Sequence, residues 1–164
     1  MNSDVVKWLM TGPPWVRYRT LTDLPAPSDS HGDVAASRQA MLEHSAIRAL
    51  LSELSQWPGP ALKRHNDAGH LLHRLVFVAD LGLKAGDPGV DEIISRVVGM
   101  QSRGGAFQIK ANVSPQYGGT GEDQTAWMLC DTPSVLYSLV KLGVSGNPIR
   151  SAAKHLVSLN ASGS

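Results

Sequence analysis

The sequence contains a single cysteine, Cys130, among 164 residues, so it cannot form an internal disulfide. Its charges nearly balance, because 15 Lys and Arg residues oppose 14 Asp and Glu residues and leave a net charge of +1. No run approaches the roughly 20 apolar residues of a membrane-spanning helix. These absences argue against a disulfide-rich secreted domain, a nucleic-acid-binding protein and a membrane-spanning protein. They predict a cytoplasmic chain with no nucleic-acid partner and no membrane span.

Apolar residues recur at helical spacing in three segments, whereas the period-two alternation of strands is absent. Spacings of i, i+3, i+4, i+7 and i+8 place such residues on one helix face. Asp87, Asn147 and Ser45 precede the three faces and are typical N-cap residues, and Pro58 ends the third helix. With 42% hydrophobic residues, the chain is predicted to form one all-α domain over 1–164. The faces are Val90, Ile93, Ile94, Val97 and Val98; Ile149, Ala152, Ala153, Leu156 and Leu159; and Ile47, Leu50, Leu51, Leu54 and Trp57.

The sequence repeats with a period of about 60 residues. Asp80-Leu81-Gly82 aligns with Lys141-Leu142-Gly143, and each is followed by a proline that opens a predicted helix. A fainter third copy lies over 17–24. Because a helical hairpin cannot bury its apolar face alone, such repeats stack and share a core. We therefore expect helical hairpins over roughly 1–57, 61–103 and 122–160.

A characteristic phrase joins the second and third repeats. It contains Gln101, the pair Gly104-Gly105 with Phe107 after it, and later Asp123 and Trp127. The phrase resembles the α/α-toroid superfamily of terpenoid cyclases and protein prenyltransferases, in particular its uncharacterised bacterial prenyltransferase-like branch, most clearly over 67–164. The resemblance implies part of an α/α toroid around a central cavity. The partial ring would be completed by a second copy, as a homodimer, or by a missing C-terminal half.

Two polar clusters precede equivalent predicted helices. His70 stands twelve residues before Gly82, and Asp131 stands twelve residues before Gly143. The resemblance implies that both clusters face the mouth of the cavity. The first cluster is Lys63, His65, Asp67, His70 and His73, and the second is Glu122, Asp123, Trp127, Cys130 and Asp131.

Candidate roles follow from the chemistry of these side chains. Carboxylates that face each other across a cleft can act as general acid and base, and aromatic and imidazole rings can contact a ligand. For Asp123 the alternative is an N-cap of a helix beginning at Gln124. The candidate catalytic residues are Asp67, Asp123 and Asp131, and the candidate ligand-binding residues are His65, His70, His73, Trp127 and Tyr117.

Zinc is the cofactor that these residue types suggest. His70 and His73 are spaced i, i+3 on one helix face, and with Cys130 they form a candidate ligand set. Protein prenyltransferases hold zinc with Asp, Cys and His, but their Asp precedes the Cys by two residues, where this chain has Met128. The alternative is that the histidines are hydrogen-bonded packing features and that Cys130 is a small buried hydrophobe.

The sequence therefore predicts a small-molecule-binding or enzymatic module whose apolar cavity suits an isoprenoid-like ligand, as the resemblance implies. Neither the Asp-rich motifs of class I terpene synthases nor the Asp-x-Asp-Asp acid of class II cyclases occurs. The glycine-rich segment 109–121 is either a lid over a ligand or a simple connector. The alternative function is a non-catalytic helical-repeat scaffold for protein–protein association.

Overall fold

The structure is a computed structural model that describes residues 3–24 and 31–161. Within these ranges the chain forms eight α-helices and one two-stranded antiparallel sheet. The backbone divides into two compact units, Met1–Leu50 and Leu51–Ser164. Across the described ranges, no helix is both long and apolar enough to cross a membrane.

The first unit contains α1 (Ser3–Met10), α2 (Pro14–Asp23), α3 (His31–Glu43) and the start of α4 (Ser45–Leu54). Helix α2 packs along α3, and Arg38 of α3 donates a 3.2 Å hydrogen bond to the Tyr18 hydroxyl of α2. The predicted cap of α4 is wrong by one residue. The His44 ring, rather than the Ser45 hydroxyl, accepts the Ala46 amide at 3.1 Å.

In the second unit, α5 and α7 pack side by side. Near their C-terminal ends, the Tyr137 hydroxyl donates to Asp80 at 2.5 Å, and the Ala85 amide donates to the Leu142 carbonyl at 2.7 Å. Both pairs join residues with the same sequence offset, so the two helices run in the same direction. The helices of this unit are α5 (Leu71–Leu81), α6 (Val90–Val98), α7 (Asp131–Lys141) and α8 (Asn147–Ala161).

Helix α6 buries the apolar face that its spacing predicts, with Val90, Ile93 and Val97 in the core. Its predicted N-cap is wrong. The helix begins after Gly89, whose φ of 82° is in the left-handed region that glycine tolerates best. The Asp87 carboxylate instead accepts the Lys84 amide at 2.7 Å, so it stabilises the preceding turn.

Gln101 and the Gly104-Gly105 pair have a structural role in the turn after α6. Gly105 has a φ of 94°, and a Cβ atom there would lie 2.6 Å from the Ser151 carbonyl oxygen of α8. The Gln101 side-chain amide donates to the carbonyls of Gly105 and Pro148, both at 2.7 Å. Phe107 is buried in the core. Gln101 and Gly105 therefore hold this turn against the start of α8.

The described chain is mainly α-helical, as the sequence predicts, but a β-hairpin stands where a helix beginning at Gln124 is predicted. Strand β1 (Ile109–Ala111) pairs with β2 (Gln124–Ala126), with Lys110 opposite Thr125. Asp123 therefore precedes a strand and caps no helix. Strands of three residues are too short to show alternation in the sequence. Long-range pairing supports this hairpin, because Leu62 exchanges backbone hydrogen bonds with Lys110 and Asn112, both at 2.9 Å.

Candidate functional site

His65, Cys130 and Asp131 form a polar cluster at the N-terminal end of α7. The His65 Nδ1 atom lies 3.4 Å from Asp131 Oδ1, and the Cys130 Sγ atom lies 3.9 Å from His65 Nε2. One potential metal-ligating atom from each of the three side chains lies within 4.8 Å of the others. Among the described residues, these three are the His, Cys, Asp or Glu side chains that lie close enough together, in a group of three or more, to hold a metal ion.

The start of α7 positions the backbone of Asp131. The Asp131 and Thr132 amides donate to the Met128 carbonyl, and the buried Thr132 hydroxyl donates to the Phe107 carbonyl at 3.0 Å. The Asp131 side chain is 5% exposed, whereas that of His65 is 62% exposed. The cluster thus combines a buried acid with an accessible imidazole. Cys130 is exposed as well, so its predicted alternative as a buried hydrophobe is wrong.

The electrostatics of the cluster disfavour a bare thiolate. Partial burial raises the pKa of the Cys130 thiol, and the negative charge of Asp131 and a hydrogen bond with it raise this pKa further. The Asp131 Oδ2 atom is buried and has no hydrogen-bond partner among the described residues. A buried acceptor without a partner costs about 1–3 kcal/mol. The buried Asp131 Oδ2 atom is therefore left with its acceptor capacity unused within the described residues.

A cavity of about 810 Å³ lies beside the cluster and shares His65 with it. Its lining combines aliphatic and aromatic surface with two cationic side chains, Lys63 and Arg64, and contains no carboxylate. Neither cation forms an ion pair with another described residue. The lining residues are Leu62, Lys63, Arg64, His65, Asn112, Val113, Ser114, Gln116, Tyr117 and Met128.

The hairpin connection forms one wall of this cavity. It contains a short 3₁₀ helix, Pro115–Tyr117, and the Gly121 amide donates to the Val113 carbonyl at 2.9 Å. Gly119 packs so closely that a Cβ atom there would lie 2.0 Å from the Val113 carbonyl oxygen. The Asn112 side-chain amide donates to the Gly121 carbonyl at 2.9 Å. This connection is thus a hydrogen-bonded loop that shapes the cavity.

The structure places His70 and His73 outside the cluster. His70 is buried as the N-cap of α5, where its Nδ1 accepts the Leu72 amide at 3.2 Å and its Nε2 lies 3.1 Å from the Pro60 carbonyl. A neutral ring protonated on Nε2 satisfies both bonds. Both ring nitrogens are therefore used within the fold. The His73 Nε2 is buried without a partner among the described residues.

The other candidate residues are dispersed. Asp67 accepts the Gly69 amide at 3.0 Å, and Asp123 accepts the Asn112 side-chain amide at 2.9 Å. The Trp127 ring packs edge-on against His155, with 4.8 Å between ring centroids. Of the predicted ligand-binding residues, His65 and Tyr117 line the cavity.

Sequence reasoning missed several lining residues, among them Arg64, Asn112 and Met128. The adjacent cations of Lys63-Arg64 are a signal that could have identified Arg64. The other two carry no such signal, because the hairpin and the turn before α7 place them at the cavity. Comparisons with protein-family models, curated proteins and solved structures give no match to this chain.

Proposed function

We propose that this chain is a small-molecule-binding module whose cavity accepts an amphiphile with an apolar body and an anionic head. The observation that carries the proposal is the cavity of about 810 Å³ with an apolar wall and a cationic edge. Ligand pockets typically measure about 300–1,000 Å³ and combine apolar surface with a few polar groups. This cavity falls within that range.

The division of the lining suggests how such a ligand would lie. Leu62, Val113 and Met128 offer apolar surface to its body, while Lys63 and Arg64 offer positive charge to its head. An unpaired Arg forms bidentate bonds with phosphate or carboxylate groups, and a Lys adds a point charge. Because no carboxylate lines the cavity, an anion meets no direct repulsion there.

An isoprenoid diphosphate has the required chemistry, and it agrees with the ligand that the toroid resemblance implies. Part of the support for a partial α/α toroid is the likeness of α5 and α7. Each spans eleven residues. A glycine with left-handed φ follows α5 directly, with 92° at Gly82, and follows α7 after one residue, with 94° at Gly143. The repeat architecture, its completion by a second copy or a missing half, and the catalytic roles of Asp67, Asp123 and Asp131 belong to this proposal.

Calorimetric titration tests the proposal with three probes: farnesyl diphosphate, farnesol and pyrophosphate. We expect farnesyl diphosphate to bind one to one and more tightly than either fragment, because it alone uses both parts of the cavity. Val113→Trp, which fills the cavity, should abolish binding. Lys63→Ala and Arg64→Ala should each weaken the binding of farnesyl diphosphate about 5- to 30-fold and leave the binding of farnesol unchanged.

Lys154→Ala on the exposed surface of α8 is the matched charge control and should bind like the unaltered chain. Unchanged binding in Val113→Trp would contradict the proposal, as would an equal loss in Lys154→Ala and Lys63→Ala.

The scaffold alternative has one observation in its favour. A hollow of about 430 Å³ is lined entirely by aliphatic side chains, those of Leu129, Leu156, Val157 and Leu159. Val157 is 71% exposed and Leu129 is 66% exposed. If this surface pairs two copies of the chain, sedimentation should show a dimer that Val157→Glu converts to monomer. A monomer at all concentrations would exclude self-association.

A further inference from the structure

We propose that His65, Cys130 and Asp131 bind one divalent transition-metal ion of the zinc type, through a ring nitrogen, the sulfur and a carboxylate oxygen. The proposal does not depend on the ligand of the neighbouring cavity. It differs from the set that the sequence suggests, because His65 replaces His70 and His73.

The donor atoms are spaced almost as a tetrahedral ion requires. Zinc bonds of about 2.0–2.3 Å place two donors roughly 3.3–3.7 Å apart at tetrahedral angles. The His65 Nδ1 atom lies 3.4 Å from the Asp131 oxygen and 4.0 Å from the Cys130 sulfur, and the three donor atoms lie within 4.8 Å of one another. A small rotation of the exposed Cys130 and His65 side chains would complete the geometry around the buried Asp131 carboxylate.

An independent observation points to a cation-binding site. The Asp131 side chain is 95% buried, and its Oδ2 atom has no partner among the described residues. Nearly all buried polar atoms of native proteins are paired, so an orphan acceptor beside a thiol and an imidazole indicates a group that binds there. A divalent ion would pair with the carboxylate, and the Cys130 thiol would release its proton on binding the ion.

Three protein ligands leave a fourth position, which is the arrangement of zinc sites that bind water or substrate. The exposure of His65 and Cys130 gives the ion a path of entry. Since His65 also lines the cavity, the ion would lie at its wall. Nitrogen, sulfur and oxygen donors together suit Zn²⁺ and Co²⁺ and disfavour Mg²⁺ and Ca²⁺, which prefer oxygen ligands.

The test titrates chelator-treated, reduced full-length chain with Co²⁺ alone. We expect one equivalent to bind, with visible bands of a four-coordinate ion and a near-ultraviolet thiolate-to-cobalt band, and Zn²⁺ to remove both. Cys130→Ser should abolish the thiolate band. His65→Gln and Asp131→Asn should each weaken Co²⁺ binding at least about tenfold, since even residues behind the ligands affect metal affinity about 10- to 100-fold.

Asp4→Asn and His73→Gln are the matched controls and should bind Co²⁺ like the unaltered chain. Far-ultraviolet circular dichroism monitors folding of every variant. If Asp131→Asn does not fold, the accessible positions Cys130 and His65 still decide the outcome. Lack of a one-to-one complex, a thiolate band retained in Cys130→Ser, or loss of binding in His73→Gln but not in His65→Gln would overturn the proposal. Because the probe is the metal alone, failure of the cavity to bind an amphiphile would leave this result unaffected.

Discussion

The Nδ1 atom of His65 lies 3.4 Å from the Oδ1 atom of Asp131, although one residue precedes α5 and the other begins α7. The parallel packing of these two helices brings both N-terminal ends to the same side of the unit. The pair joins the cavity to the cluster, because His65 belongs to both. Its consequences for reactivity, stability and binding can be measured separately.

The first prediction concerns the Cys130 thiol in chelator-treated protein. Burial and the charge of Asp131 raise its pKa, so iodoacetamide should modify it more slowly at pH 8 than in the urea-unfolded chain. Asp131→Asn removes the charge contribution and should increase the rate, and the midpoint of a rate-against-pH profile should fall. Asp4→Asn should leave the profile unchanged. A profile that does not respond to Asp131→Asn would contradict this account.

The second prediction separates a structural from a ligating histidine. His70→Ala removes the α5 cap and leaves the Pro60 carbonyl without its partner, so we expect a loss of roughly 2–4 kcal/mol in the free energy of unfolding. His65→Ala removes an exposed partner of Asp131 whose place water can take, so it should cost no more than about 1 kcal/mol.

Urea unfolding measures the loss of stability in both variants. Co²⁺ titration should show the greater loss of metal affinity in His65→Ala, the variant with the smaller loss of stability. His70→Ala should retain metal binding where it folds, and His65→Ala should lose it. A stable His70→Ala protein without metal binding would instead make His70 a ligand.

The third prediction concerns the loop that lines the cavity. Gly119→Ala places a Cβ atom against the Val113 carbonyl, which must then move away. We expect a loss of about 1–3 kcal/mol in stability and weaker binding of farnesyl diphosphate. Gly104→Ala is the matched control, because its nearest neighbour would lie 3.8 Å away. Thermal unfolding and calorimetry should distinguish the two, and equal behaviour would show that the loop does not shape the cavity.

Local patterns predicted α4 and α6 well because both helices bury regular apolar faces. The α6 face of Val90, Ile93 and Val97 follows directly from its spacing. The cap of the same helix was mispredicted, since Asp87 has a nearer competing partner in the Lys84 amide. The β-hairpin was missed because its three-residue strands depend on tertiary pairing with Leu62.

The candidate site was predictable in its residue types but not in its grouping. The sequence identified His65, Cys130 and Asp131 individually, yet helical spacing favoured His70 and His73 as partners of Cys130. The decisive fact is the packing of α5 against α7, which places a residue of the loop before α5 beside the start of α7. No periodicity in the sequence encodes that proximity.

The most direct test of the proposed function is methionine methyl NMR of the ¹³C-labelled chain during titration with farnesyl diphosphate. Met128 lines the cavity, whereas Met41 lies in the first unit. We predict a saturable shift of the Met128 resonance, with Met41 unchanged and with no shift in Val113→Trp. A Met128 resonance that stays fixed while the ligand binds would show that the cavity is not its site.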